Sequence, residues 1–108
     1  MRWRRRDQEP TLDDKLWHVE ARLHVMEGLL RALTERAAVL DALDAASSMD
    51  DAIVRLGERL GIDEVQATAV TDMQLRRLVP AEIVRIEQEV RFCREQRDRY
   101  LRQGAKPR

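Results

Sequence analysis

A length of 108 residues is that of one ordinary domain and leaves no room for several independent ones. Charged residues make up 37% of the chain, apolar ones 44% and aromatics only 4%, the balance of long amphipathic helices with wet outer faces and too apolar for wholesale disorder. Lysine plus arginine and aspartate plus glutamate both total 20, which excludes an overall electrostatic pull on nucleic acid or an acidic membrane and confines any attraction to local patches.

The first eleven residues read as a basic tail carrying Arg2, Trp3, Arg4, Arg5 and Arg6. No signal-peptide hydrophobic stretch follows them, and no apolar run anywhere approaches the roughly 18 residues needed to span a bilayer. Pro10 and Thr11 then open a helix. The threonine and Asp14 make a capping box, and the two acids suit the positive end of the helix dipole. From there Leu12, Leu16, Val19, Leu23, Met26, Leu30, Leu33, Ala37 and Leu40 alternate spacings of four and three, the seam of a coiled coil. This pattern predicts one helix over residues 12–45, about 50 Å long at 1.5 Å per residue, which needs a partner along its length. Gly28 interrupts it at a cost of about 1 kcal/mol relative to alanine, for which close packing and a kink are both explanations.

Ser47, Ser48 and Asp51 predict a capped start, Met49, Ile53, Leu56 and Leu60 an apolar stripe, and Gly61 a stop. Asp63 caps a third predicted helix, 64–78, whose arc of Val65, Ala67, Ala69, Val70, Met73, Leu75 and Leu78 is too wide for burial on one side. Pro80 suits the first turn of the return helix, 80–102, with a second seam of Ile83, Ile86, Val90, Cys93, Arg97 and Tyr100. The expected fold is all-α: a long antiparallel coiled-coil hairpin over 12–102, capped by a small helical head at about 41–79, with a polar tail at 103–108.

With that layout in place, the run from Arg22 to Leu33, containing Arg22, His24, Glu27, Gly28 and Leu29, resembles the Arg-x-His-x-x-Glu-Gly-Leu stretch that enters the tail hairpin of the DNA gyrase and topoisomerase IV A subunits. Further on, the run from Leu60 to Leu78, with Gln66, Ala67, Ala69, Met73, Leu75 and Leu78, is similar to the same family's Gln-Ala-x-Ala-Ile-Leu-x-Met-Arg-Leu-x-x-Leu. Here Val70-Thr71 stands for Ile-Leu and Gln74 for the arginine after methionine. The resemblance covers roughly residues 19–101 and implies the family's C-gate, where two protomers meet. It implies a homodimer through the head and, for a second partner, the gate of a gyrase or topoisomerase IV A subunit; the expected contact is Val39, Leu40, Leu43, Val70 and Met73, apolar residues that a thin hairpin cannot bury alone. The family's winged-helix domain with its catalytic tyrosine would lie upstream, and Met1 and the polar C-terminus look like natural ends, so a chain without DNA-cleaving chemistry is expected.

The remaining residues point to no other chemistry. The sequence has no glycine-rich phosphate loop for a nucleotide and no acidic cluster like a magnesium site, so no cofactor and no small-molecule substrate are expected. His18 and His24 are six apart and do not share a helix face as a zinc pair must. His24 reads as a structural hydrogen-bonding group, Cys93 as a small seam hydrophobe and Tyr100 as seam packing. Arg97 breaks the second seam, through splaying of the hairpin ends or through a specific acidic partner. The single cysteine fits a reducing, cytoplasmic setting. Charge is polarised: residues 1–6 and 97–108 hold nine bases against Asp98, while 41–73 hold eight acids against Arg55 and Arg59. An antiparallel hairpin would gather the bases at its open end, and the alternative function is therefore DNA binding by Arg2, Trp3, Arg4, Arg5, Arg6, Arg99 and Arg102.

Overall fold

The helix boundaries follow from local signals. Thr11 Oγ1 accepts the Asp14 N–H at 3.1 Å while the Asp14 carboxylate accepts the Thr11 N–H at 3.1 Å, and this box starts α1 (Leu12–Thr34). Ser48 Oγ caps α3 (Met49–Leu60) by accepting the Asp51 N–H, and Gly61, at φ 67°, closes it in the left-handed conformation glycine tolerates best. The Asp51 carboxylate reaches back to the Ser47 N–H, one residue earlier than in a strict capping box. Asp63 and Gln66 form a full box at the start of α4 (Glu64–Thr71), and Pro80 is the first residue of α5 (Pro80–Arg102). Together with α2 (Arg36–Ala45) and a 3-10 turn at Leu75–Leu78, these are the regular elements of the computed structural model, which describes residues 9–108, and all are helical.

α1 and α5 pack antiparallel. At one end Arg36 donates to the Leu78 carbonyl at 2.6 Å; at the other the Lys106 N–H donates to Asp13 at 2.8 Å and Arg108 to Asp14 at 2.8 Å. Arg22 with Glu89 and Arg94 with Glu27 bridge the pair between these ends. Leu23, Met26 and Leu33 of α1 are buried with Ile86, Val90 and Cys93 of α5 in a two-helix arm, and the core runs on through Leu56, Leu60, Ala67 and Val70 into a head of α2, α3, α4 and the 3-10 turn. The described residues form an elongated body of 51 × 29 × 28 Å. No described helix is long and apolar enough to cross a membrane.

Three expectations are corrected. The predicted helix over 12–45 is two helices, broken at Glu35 (φ −125°, ψ 51°). No proline or glycine marks the break. Thr34 Oγ1 donates to the Leu30 and Arg31 carbonyls at 3.0 and 3.1 Å, diverting acceptors from the helical ladder as back-bonding threonines do where helices bend. Arg31 also pairs with Glu35. Beyond the break the seam no longer describes what is buried: Ala37 and Leu40 are exposed, and α2 turns Ala42 inward, facing α3, where Ala52 is equally small and buried.

The predicted helix over 64–78 ends at Thr71. Asp72 caps it, Gln74 is extended and Leu75–Leu78 forms the 3-10 turn. The ring of Pro80 forces Val79 into extended backbone (φ −67°, ψ 133°), so no helix could have run unbroken into α5. Leu75, expected to be covered, is 82% exposed. The third correction concerns Arg97, for which splaying was one of two readings: the end of the α1–α5 pair beside it is not splayed, because the C-terminal residues close over the first turn of α1, and Arg97 pairs with its neighbour Asp98 at 3.1 Å.

Candidate functional site

Four residues fix α4 of the head against α1 of the arm. Gln66 of α4 lies across Gly28 of α1, and its side-chain amide donates to the His24 carbonyl at 2.8 Å. His24 Nε2 lies 2.5 Å from Asp63 Oδ2, and Asp63 in turn caps α4. Gly28 is therefore explained by close packing, and His24 has the structural hydrogen bond expected of it. The Gln66 N–H, followed by His24, holds the Asp63 carboxyl below the ordinary aspartate range. This joint fixes α4 against α1 and thereby sets one wall of the head.

Above the joint, α2, the start of α3, the end of α4 and the 3-10 turn enclose an apolar groove of about 250 Å3. All five residues predicted for a dimer contact, Val39, Leu40, Leu43, Val70 and Met73, line it. They differ in role. Val70 is buried and forms the floor, while Leu40, at 60% exposed, and Leu43 stand on the rim. Sequence reasoning missed Arg36, Met49 and Leu75 on the same walls, because the apolar arc over 64–78 assigned Leu75 to a covered helix and the stripe with Ile53, Leu56 and Leu60 assigned Met49 to an intramolecular face. Met49 and Leu75 are the more exposed for it, at 61% and 82%.

The basic end is less free than its composition suggests. Arg108 is held by Asp14 and stacks 4.8 Å over the Trp17 ring, which meets His18 edge to face. Arg99 and Arg102 are exposed in the last turn of α5, where cations suit the negative end of the helix. Arg2, Trp3, Arg4, Arg5 and Arg6 lie outside the described residues. Tyr100 is half-buried and Cys93 fully buried.

The joint residues His24, Gly28, Asp63 and Gln66 come from the two sequence runs that resemble the gyrase and topoisomerase IV A subunits, so those runs meet in space. Comparison with known proteins points the same way. The DNA gyrase A subunit of Lawsonia intracellularis is 38% identical over 71 residues, and that of Mycobacterium bovis 42% identical over 72, covering 66% and 67% of this chain. The chain is related to a segment of the DNA gyrase A subunit. The gyrase A relative from Borreliella burgdorferi extends the match to 82 residues, 76% of the chain, at 33% identity. No family model matches. The gyrase A-like segment spans about a tenth of the length of these relatives, from 9% to 10%.

Proposed function

We propose that this chain is a non-catalytic assembly module that pairs with a second copy of itself through the head groove, in the manner of the C-gate its sequence resembles. The carrying observation is the groove itself: Leu40, Met49 and Leu75 are each more than half exposed around one apolar floor. Solitary exposed apolar residues are ordinary, but several around one concavity mark an interaction site. A small all-α body has little interior to offer, and a self-complementary face buries what its own core cannot. Tyr100 has no part in this reading beyond packing.

The relationship to gyrase A extends the proposal to a second partner: the corresponding surface of a full-length gyrase A chain, whose capture would give mixed dimers and alter supercoiling. Sedimentation velocity on the intact chain at micromolar concentration tests the first part, with a dimer expected and a clean monomer overturning it. Co-purification with the host gyrase, and supercoiling assays with excess chain, test the second. If neither association nor a change in supercoiling is found, the gyrase part of the proposal is overturned.

A further inference from the structure

α2 carries its charges the wrong way round. Arg36 is its first residue and Asp44 lies in its last turn, so a cation sits at the positive end of the helix dipole and an anion at the negative end. The first turn holds no acid, the last turn no base, and Glu35 provides no side-chain cap. Within a single chain this arrangement is unfavourable. Arg36 is partly compensated by its bond to the Leu78 carbonyl, while Asp44 is exposed and makes no ion pair among the described residues.

The spacing of these residues gives the inversion a use. Arg36, Leu40 and Asp44 follow one another at intervals of four, so they form a single ridge along α2, with the exposed leucine midway between opposite charges. A two-fold axis through the leucine maps the ridge onto itself with the charges exchanged. In an isologous interface residue i meets j and j meets i, and a ridge reading plus, apolar, minus is complementary to its own reversed copy. The two α2 dipoles then also run antiparallel, and each end meets a charge it favours on the other chain. A ridge of this length, about 12 Å from Arg36 to Asp44 at 1.5 Å per residue, fits beside a groove whose walls include Arg36, Leu40 and Leu43.

We propose that the occupant of the groove face is a second copy of this chain whose α2 lies antiparallel to the first across a two-fold axis at Leu40, with Arg36 of each copy facing Asp44 of the other. This rests on the self-association reading above and adds its register. The pair is an orientation device: opposite charges at a contact rim steer and fix register more than they add affinity.

The test compares the intact chain with Asp44→Arg, Arg36→Glu and the double variant by sedimentation, with thermal unfolding of each as the control for folding. Each single reversal places like charges together twice per dimer and should weaken association at least about tenfold. The double variant should recover most of it. Asp44→Arg also relieves the unfavourable helix-end charge, so its helical signal should hold or rise as its dimer is lost, which a misfolded variant would not show. Independently, Leu40→Cys in a Cys93→Ser background should cross-link to a covalent dimer on mild oxidation, since only residues near a two-fold axis bring their own copies within disulfide reach. A monomeric wild-type chain overturns the self-association reading and this register with it. A wild-type dimer that Asp44→Arg leaves intact, that the double variant fails to restore, or that Leu40→Cys cannot cross-link overturns the register alone.

Discussion

A methyl group on Gly28 would stand 2.7 Å from Cβ of Gln66 and 2.8 Å from its Cγ, so α1 and α4 touch at the one place where α1 has no side chain. The atom in the way is the root of the glutamine side chain and cannot swing aside. Gly28→Ala therefore forces the helices apart, although alanine is the better helix former by about 1 kcal/mol. The expected net effect is a loss of about 1 to 3 kcal/mol, as for other overpacked contacts, read from urea or guanidinium unfolding. A stabilised variant would contradict the close approach.

Leu56 of α3 is fully buried, at 0% exposure, and belongs to the core that continues from the arm into the head. Leu56→Ala removes its contacts and leaves a cavity, with an expected cost of about 2 to 5 kcal/mol. Calorimetric or chemical denaturation measures it. A loss below about 1 kcal/mol would mean that the head collapses around the gap.

Gly61 ends α3 at φ 67°, with nothing within 4 Å of where a Cβ would lie. Space is not the obstacle to a side chain there; backbone conformation is. Gly61→Ala should lower stability by about 1 kcal/mol, while Gly61→Asn, which tolerates the left-handed region better, should lose less. Equal losses for the two would argue against a conformational cause.

Three helix-start carboxylates share one pH dependence. Asp14 is held low mainly by the Thr11 N–H, Asp51 by Arg55 and then the Ser47 N–H, and Asp63 by the Gln66 N–H and then His24. Each has a folded pKa below its unfolded value, so on acidification the unfolded chain takes up protons first. Their contribution is complete above the ordinary aspartate range, near about 4, and fades as pH falls through the lower folded values. Thermal midpoints measured from about pH 6 down to about pH 2 should decline through that interval. Asp63→Asn should flatten the decline, and a profile unchanged by this substitution would remove Asp63 from the account.

Cys93 is buried at 2% exposure between α1 and α5. Thiol labelling of the folded chain should be slow and should track global unfolding as denaturant is added. Rapid labelling in native buffer would show that the two long helices separate locally.

Much of this molecule is written in short-range patterns. Thr11 with Asp14, Ser48, Gly61, Asp63 with Gln66, and Pro80 are interactions completed within a few residues, so the sequence locates the starts of α1, α3, α4 and α5 and the end of α3 without knowledge of the rest. The seams through Leu23, Met26, Val90 and Cys93 likewise identify the two packed arms, because a periodic apolar stripe has to be covered whatever lies opposite. The groove residues Val39, Leu40, Leu43, Val70 and Met73 could be named together from their apolar character, but the sequence did not separate Val70, which the fold buries in its own core, from Leu40, which it leaves exposed.

Long-range competition settled what these patterns left open. The heptad spacing continues through Glu35 without a break, yet α1 stops at Thr34, and α2 packs Ala42 against α3. The apolar arc past Thr71 reads as helix, yet the backbone turns extended at Gln74 and continues as a 3-10 turn that leaves Leu75 in solvent. Gly28 is ambiguous along the chain and becomes a contact only when Gln66 arrives from 38 positions away. Local hydrogen bonds determine where a helix starts, but which face it buries, and which residues it leaves uncovered for a partner, depends on surfaces brought from elsewhere in the chain.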